Sequence, residues 1–224
     1  LSTSRNWAVW VPDYLQKFDP DPLRYYLSVV MPETGDADFS WKEFLRRNND
    51  ELVATYGNLA HRVLTFTYRQ FDGAVPSPGE LDAQSQALLH KAQETLETVD
   101  RLLGQCHFRE SMRAAMGLAQ EANRYLDGKA PWKTIKVDRQ VTANSLYTAL
   151  GVISALKTLF LPFLPFSSQR LHEFLGFQDR VEAGGWRVQL PSPGQRLGLP
   201  QPLFTKLEEE LVAQETSRLG GVAG

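Results

Sequence analysis

Apolar residues recur at three- and four-residue spacing in one segment after another along this 224-residue chain, and strand-like alternation is weak throughout. Each periodic run is stopped by glycine or proline, which leaves an antiparallel helical bundle as the fold these segments can form together. Ser40-Trp41-Lys42-Glu43 reads as a capping box, in which hydroxyl and carboxylate satisfy each other's free amide donors at a helix start. Phe44, Leu45, Leu52, Tyr56, Leu59, Val63 and Phe66 continue one stripe to about Tyr68, and residues 73–79, with two prolines, break it. Leu88, Leu89, Ala92, Leu96 and Val99 mark a helix over about 80–103. Phe108, Met112, Ala115, Met116, Ala119, Ala122 and Leu126 mark another, ending near Gly128. A connector over 129–137 holds Pro131 and Trp132. An apolar helix over about 142–160 follows, then a shorter one over 167–175. Residues 178–203, rich in Gly, Pro and Ser, read as an ordered tail over the bundle, with a last helix over about 206–218. The first 38 residues read as a small appendage with two short helices, each with proline near its first turn.

Composition narrows the function classes. Hydrophobic content of 42% and charged content of 22% are ordinary for a globular domain, so a sizeable core needs no staples. The single cysteine, Cys106, excludes an internal disulfide, leaves too few thiols for a zinc knuckle and suits a reducing cytoplasm. His61, His90, His107 and His172 are scattered, so no metal site is expected. The stretch 149–166 contains Lys157 and two prolines, and reads as a buried core helix rather than a membrane span. A formal charge of -2 implies little non-specific affinity for phosphate, so no DNA partner is expected, and any RNA must be read by a few placed side chains. No Ser/His/Asp order, glycine-rich phosphate cradle or nucleophile elbow is present.

Two features could carry binding chemistry. Asn58 and Arg62, four residues apart, share a helix face turned roughly 80–120° from the Leu52–Tyr56–Leu59–Val63 stripe, at about 100° per residue. An amide and a forked guanidinium there are either part of a solvated polar face or readers of a splayed base edge. Trp132, behind the rigid Pro131, is either a lid on the core or a stacking platform.

A set of ordered motifs then resembles one family. Leu1-Ser2-Thr3-Ser4-Arg5 resembles the tail of the class I synthetase signature Lys-Met-Ser-Lys-Ser, with Thr3 in place of the second lysine. Pro20-Asp21-Pro22-Leu23-Arg24-Tyr25-Tyr26-Leu27 is similar to the D-x-L-R-Y-Y-L helix. Pro32-Glu33-Thr34 with Asp38-Phe39-Ser40-Trp41 is similar to the P-E-T…D-F-x-W loop. Gly57-Asn58-Leu59-Ala60-His61-Arg62, Ala130-Pro131-Trp132-Lys133, Leu161-Pro162-Phe163-Leu164-Pro165 and Pro202-Leu203-Phe204 complete the order. Together they resemble the methionyl-tRNA synthetases over nearly the whole chain.

That resemblance implies a mainly α anticodon-binding domain over 39–224, preceded by the end of the ATP loop and a stem-contact segment over 1–38. It implies recognition of tRNA(Met) through its CAU anticodon. Trp132 would stack on a base, the wobble cytosine first among them, Asn58 and Arg62 would bond to base edges, and Pro131 would set the indole's angle. Ser2 and Ser4 would be an incomplete remnant of the catalytic loop. The whole enzyme, with an N-terminal catalytic domain, would join methionine to tRNA using ATP and Mg. The fragment alone is expected to form no methionyl adenylate. The alternatives are the anticodon domain of a valyl, isoleucyl, leucyl or cysteinyl enzyme, and a helical protein-interaction module without RNA.

Overall fold

The computed structural model describes residues 9–31 and 39–218. Among them the chain is helical, with one isolated antiparallel bridge, Ala74 to Arg196, as its extended pairing. Helices α1 (Val11–Leu15), α2 (Pro20–Val29) and α3 (Trp41–Arg47) lead into a π-helical segment (Asn48–Gly57) that continues as α4 (Asn58–Gln70). Then follow α5 (Ala83–Gly104), α6 (Phe108–Lys129), the one-turn α7 (Pro131–Thr134), α8 (Arg139–Phe160), α9 (Pro165–Phe174) and α10 (Glu210–Arg218).

The core forms where α5, α6 and α8 pack on one another, with α4 and α9 against α8. Helix α8 is apolar nearly all round, and every residue over 148–160 is buried, as expected of a central core helix. Among its hydroxyls, Ser145 and Thr148 donate to carbonyls one turn back, at 2.9 Å each, while Ser154 and Thr158 donate to the Gln189 and Arg187 carbonyls of the tail. Among the described residues no helix is long and apolar enough to cross a membrane.

A second, smaller core joins the two ends of the described chain. Tyr14, Leu23, Tyr26, Trp41 and Phe44 pack together, with Leu207 and Val212 partly buried against them. The N-terminal helices are tied to the bundle as well. Asp21 Oδ2 accepts from the Ser167 amide at 2.6 Å, and Arg24 donates to the Phe163 and Pro162 carbonyls. The tail lies over the bundle as expected, held by Gly194 N–H to Val75 O and Leu197 N–H to Gly73 O, both at 2.8 Å. Gly176 makes that course possible. Its φ is +89°, and a Cβ there would lie 1.9 Å from the Arg196 carbonyl oxygen.

Three local expectations change. The capping box is half formed: Ser40 Oγ accepts from the Glu43 amide at 3.3 Å, but the Glu43 carboxylate pairs with Arg46 and Arg47. The Ser40 amide donates instead to the Tyr26 hydroxyl. The last helix starts at Glu210, and before it Asn48 and Asn49 bind the non-helical backbone at Thr205 and Leu207. The third change is the π segment itself. Its buried positions are Asn48, Leu52, Tyr56 and Gly57, and α4 continues the buried face with Leu59, Ala60, Val63, Leu64 and Thr67.

Candidate anticodon-binding surface

The connector between α6 and α8 is built by its sequence. Ala130 adopts a left-handed conformation (φ 43°, ψ 57°) that ends α6, and Pro131 then opens α7 with its ring buried. Thr134 Oγ1 and Thr142 Oγ1 meet at 2.9 Å, fastening α7 to α8, while Asp138 caps α8 by accepting from the Gln140 and Val141 amides. Trp132 is thereby set with its indole half-buried on the main core. It packs on the core and keeps part of its surface exposed.

Arg62 comes to this ring from α4, its guanidinium carbon 4.7 Å from the indole centroid. The same guanidinium lies 3.6 Å from the Asp127 carboxylate on α6, with side chains 35% and 68% exposed. Exposed pairs of this kind hold about 0–1 kcal/mol, so the contact orients Arg62 without locking it. Asn58, one turn earlier on α4, is exposed, and its side-chain amide has no hydrogen-bond partner among the described residues. The structure thus brings Arg62, Trp132 and Pro131 together, and sets Asn58 one turn along the same helix. Arg62 offers a planar fork of donors, Asn58 two donors and an acceptor, and Trp132 a π face: the inventory for reading an unstacked base.

Two side chains at this surface were not singled out in the sequence. Asp127 lies four residues before Pro131 and carries the ion pair. Asn123, one turn earlier on α6, donates from Nδ2 to the Thr55 and Ala119 carbonyls at 3.1 Å each. Both act through contacts across helices, which local patterns do not reveal. Ser2 and Ser4 lie outside the described residues. Among the described residues no group of three or more His, Cys, Asp or Glu could hold a metal ion.

Comparison with known proteins places the chain in a family. Residues 75–224 match the family described as the anticodon binding domain of methionyl tRNA ligase, and residues 1–64 match class I tRNA synthetases (M). The chain is 55% identical over 220 residues to a methionine–tRNA ligase of Dehalococcoides mccartyi, an alignment covering 98% of the chain and 40% of that ligase. A Roseiflexus castenholzii methionine–tRNA ligase is 44% identical over 245 residues, with 98% and 41% covered. The chain therefore spans about two-fifths of the length of these curated relatives. Among solved structures, Mycobacterium tuberculosis methionyl-tRNA synthetase in complex with methionyl-adenylate superposes with a TM-score of 0.83 at 27% identity, over 91% of this chain and 41% of that one. These matches support neither another class I synthetase nor an interaction module without RNA. The chain belongs to the methionyl-tRNA ligase family, and most of it is that family's anticodon-binding domain.

Proposed function

We propose that this chain reads the CAU anticodon of tRNA(Met), and that Trp132, Arg62, Asn58 and Pro131 form the reading surface. The observation that carries the proposal is the Arg62 guanidinium stacked on the Trp132 ring, at 4.7 Å, on a surface where both side chains keep solvent contact. The guanidinium occupies the kind of ring face that a base would take. Binding would exchange one stack for another: a splayed wobble cytosine on the indole, with the fork of Arg62 turned to a base edge and Asn58 reading beside it. Pro131, buried at the start of α7, keeps the indole's approach fixed. Selection by a few placed groups also suits a chain whose formal charge is -2, because phosphate attraction contributes little.

In the wider proposal the chain is the anticodon-reading part of a cytoplasmic ligase that joins methionine to tRNA(Met) with ATP and Mg. Adenylate chemistry would belong to a catalytic domain N-terminal to it. The only positions here that resemble the ATP loop are Ser2 and Ser4. Filter binding of the chain to tRNAs differing in their anticodon tests the proposal. It expects CAU to be preferred, and equal binding to all anticodons would refute it.

A further inference from the structure

Helix α4 begins where the π segment ends, and that junction is pinned from outside the helix. The Asn58 amide donates to both the Val53 and Thr55 carbonyls at the handover from the wide ladder to the ordinary one. The Thr55 carbonyl accepts a second hydrogen bond, from Asn123 Nδ2 on α6 at 3.1 Å. The same nitrogen donates to the Ala119 carbonyl one turn back on α6, so one NH2 group bridges the two helices. Thr55 Oγ1 closes on the Asp50 carbonyl at 2.8 Å, inside the π segment. One turn further along α6, Asp127 meets Arg62. Helix α6 therefore holds the end of the π segment and α4 itself with two side chains one turn apart.

Register is what this grip controls. A π turn holds one more residue than an α turn, and a shift of one residue turns everything downstream by about 100°. Such a shift would carry Asn58 and Arg62 off the face they share with Trp132. We infer that Asn123 is a positioning residue for base reading: its bond to the Thr55 carbonyl holds the π-to-α junction in the register that turns Asn58 and Arg62 toward Trp132. The inference rests on the reading of this surface as an anticodon site. Asn123 is half-buried, and in this role it acts through the backbone of the π segment that runs into α4.

The test uses the full chain with an RNA stem-loop carrying CAU and a second carrying GAU, each titrated against wild type, Asn123→Asp and Asn123→Ser. Asp has the shape of Asn but sets an acceptor against the Thr55 carbonyl. Ser keeps a bond to Ala119 but cannot reach across to Thr55. At a temperature where circular dichroism of the variants matches wild type, both should lose about tenfold in CAU affinity and bring the CAU-to-GAU ratio toward one. The Asn58 amide should also exchange with solvent faster. A variant that melts earlier yet keeps the wild-type ratio would overturn the inference, since Asn123 would then only hold the fold together. Loss of fold in both variants would overturn it in the same way. If wild type itself shows no CAU preference, the anticodon reading fails first. If wild type and Arg62→Ala behave as proposed while the Asn123 variants keep the ratio, this inference alone fails.

Discussion

The Arg62 guanidinium is held by two weak contacts, a cation–π stack on Trp132 and a 3.6 Å pair with exposed Asp127. Each is worth about 1 kcal/mol or less at an exposed site, so Arg62→Ala should leave thermal melting nearly unchanged while abolishing the preference for CAU in filter binding. A large melting shift with preference intact would reverse that assignment. Asn58 and Arg62 were visible in the sequence as a pair sharing one helix face, and the family resemblance suggested the role proposed for them. Asp127 was not, because its partner lies 65 residues away in the chain. A second residue-level device sits at the far end of α8. Lys157 is buried, with Nζ 3.0 Å from His172 Nδ1 and 2.9 Å from Gln189 Oε1, and 4.3 Å from the Phe177 ring. His172 Nε2 meets Asp179 at 2.8 Å. Burial lowers the lysine pKa to about 8 and pushes the His172 imidazole below its ordinary value, against the pull of Asp179. Folding thus weakens proton binding at both groups, the unfolded chain holds more protons, and stability rises with pH across each window. For His172 the loss sets in as pH falls through the ordinary histidine range. The melting temperature should therefore drop between pH 7 and pH 5, and His172→Gln should flatten that drop; an unchanged slope would exclude His172 as its source.

At the scale of elements, most helices could be read from apolar spacing and their breakers, with ends within a few residues. The π segment escaped that reading. A stripe judged at about 100° per residue looks continuous through Leu52, Tyr56 and Leu59, whether or not the helix widens. The buried face runs from the π segment into α4 without a visible break. Gly57 marks the segment, since a Cβ there would lie 2.8 Å from the Leu52 carbonyl oxygen and 3.1 Å from the Phe204 ring. In an ordinary exposed helix Gly→Ala stabilises by roughly 0.5–1 kcal/mol. Gly57→Ala should do the reverse and lower the denaturant midpoint; a raised midpoint would mean that the segment relaxes into α-helix at no cost. The cap of α8 gives a plainer test. Asp138→Ala removes a carboxylate that accepts from two amides, and should cost about 0.5–2 kcal/mol in chemical denaturation. A cost near zero would show that Thr134 and Thr142 alone hold this helix start.

Across the whole molecule, the parts farthest apart in sequence settle on the same stretch of backbone. The π segment takes the tail at Asn48 and Asn49, α2 through the Tyr25 hydroxyl on Glu51, and α6 through Asn123, then runs on into the helix that carries Asn58 and Arg62. None of these long-range bonds follows a local rule, which is why the bundle could be anticipated from periodicity but its hub could not. The proposed reading surface was legible as residues and not as geometry: the motifs marked Asn58, Arg62 and Pro131-Trp132 as candidates, while the guanidinium over the indole required the fold. The claim on which everything else depends is that the indole of Trp132 takes the wobble base. A thermodynamic cycle tests it, pairing wild type and Trp132→Ala with a CAU stem-loop and with the same stem-loop made abasic at the wobble position. Stacking of one base on one ring is worth about 1–3 kcal/mol, and removing either partner removes the whole of it. The account predicts that each single change weakens binding and that the double change weakens it no further; fully additive losses would contradict it.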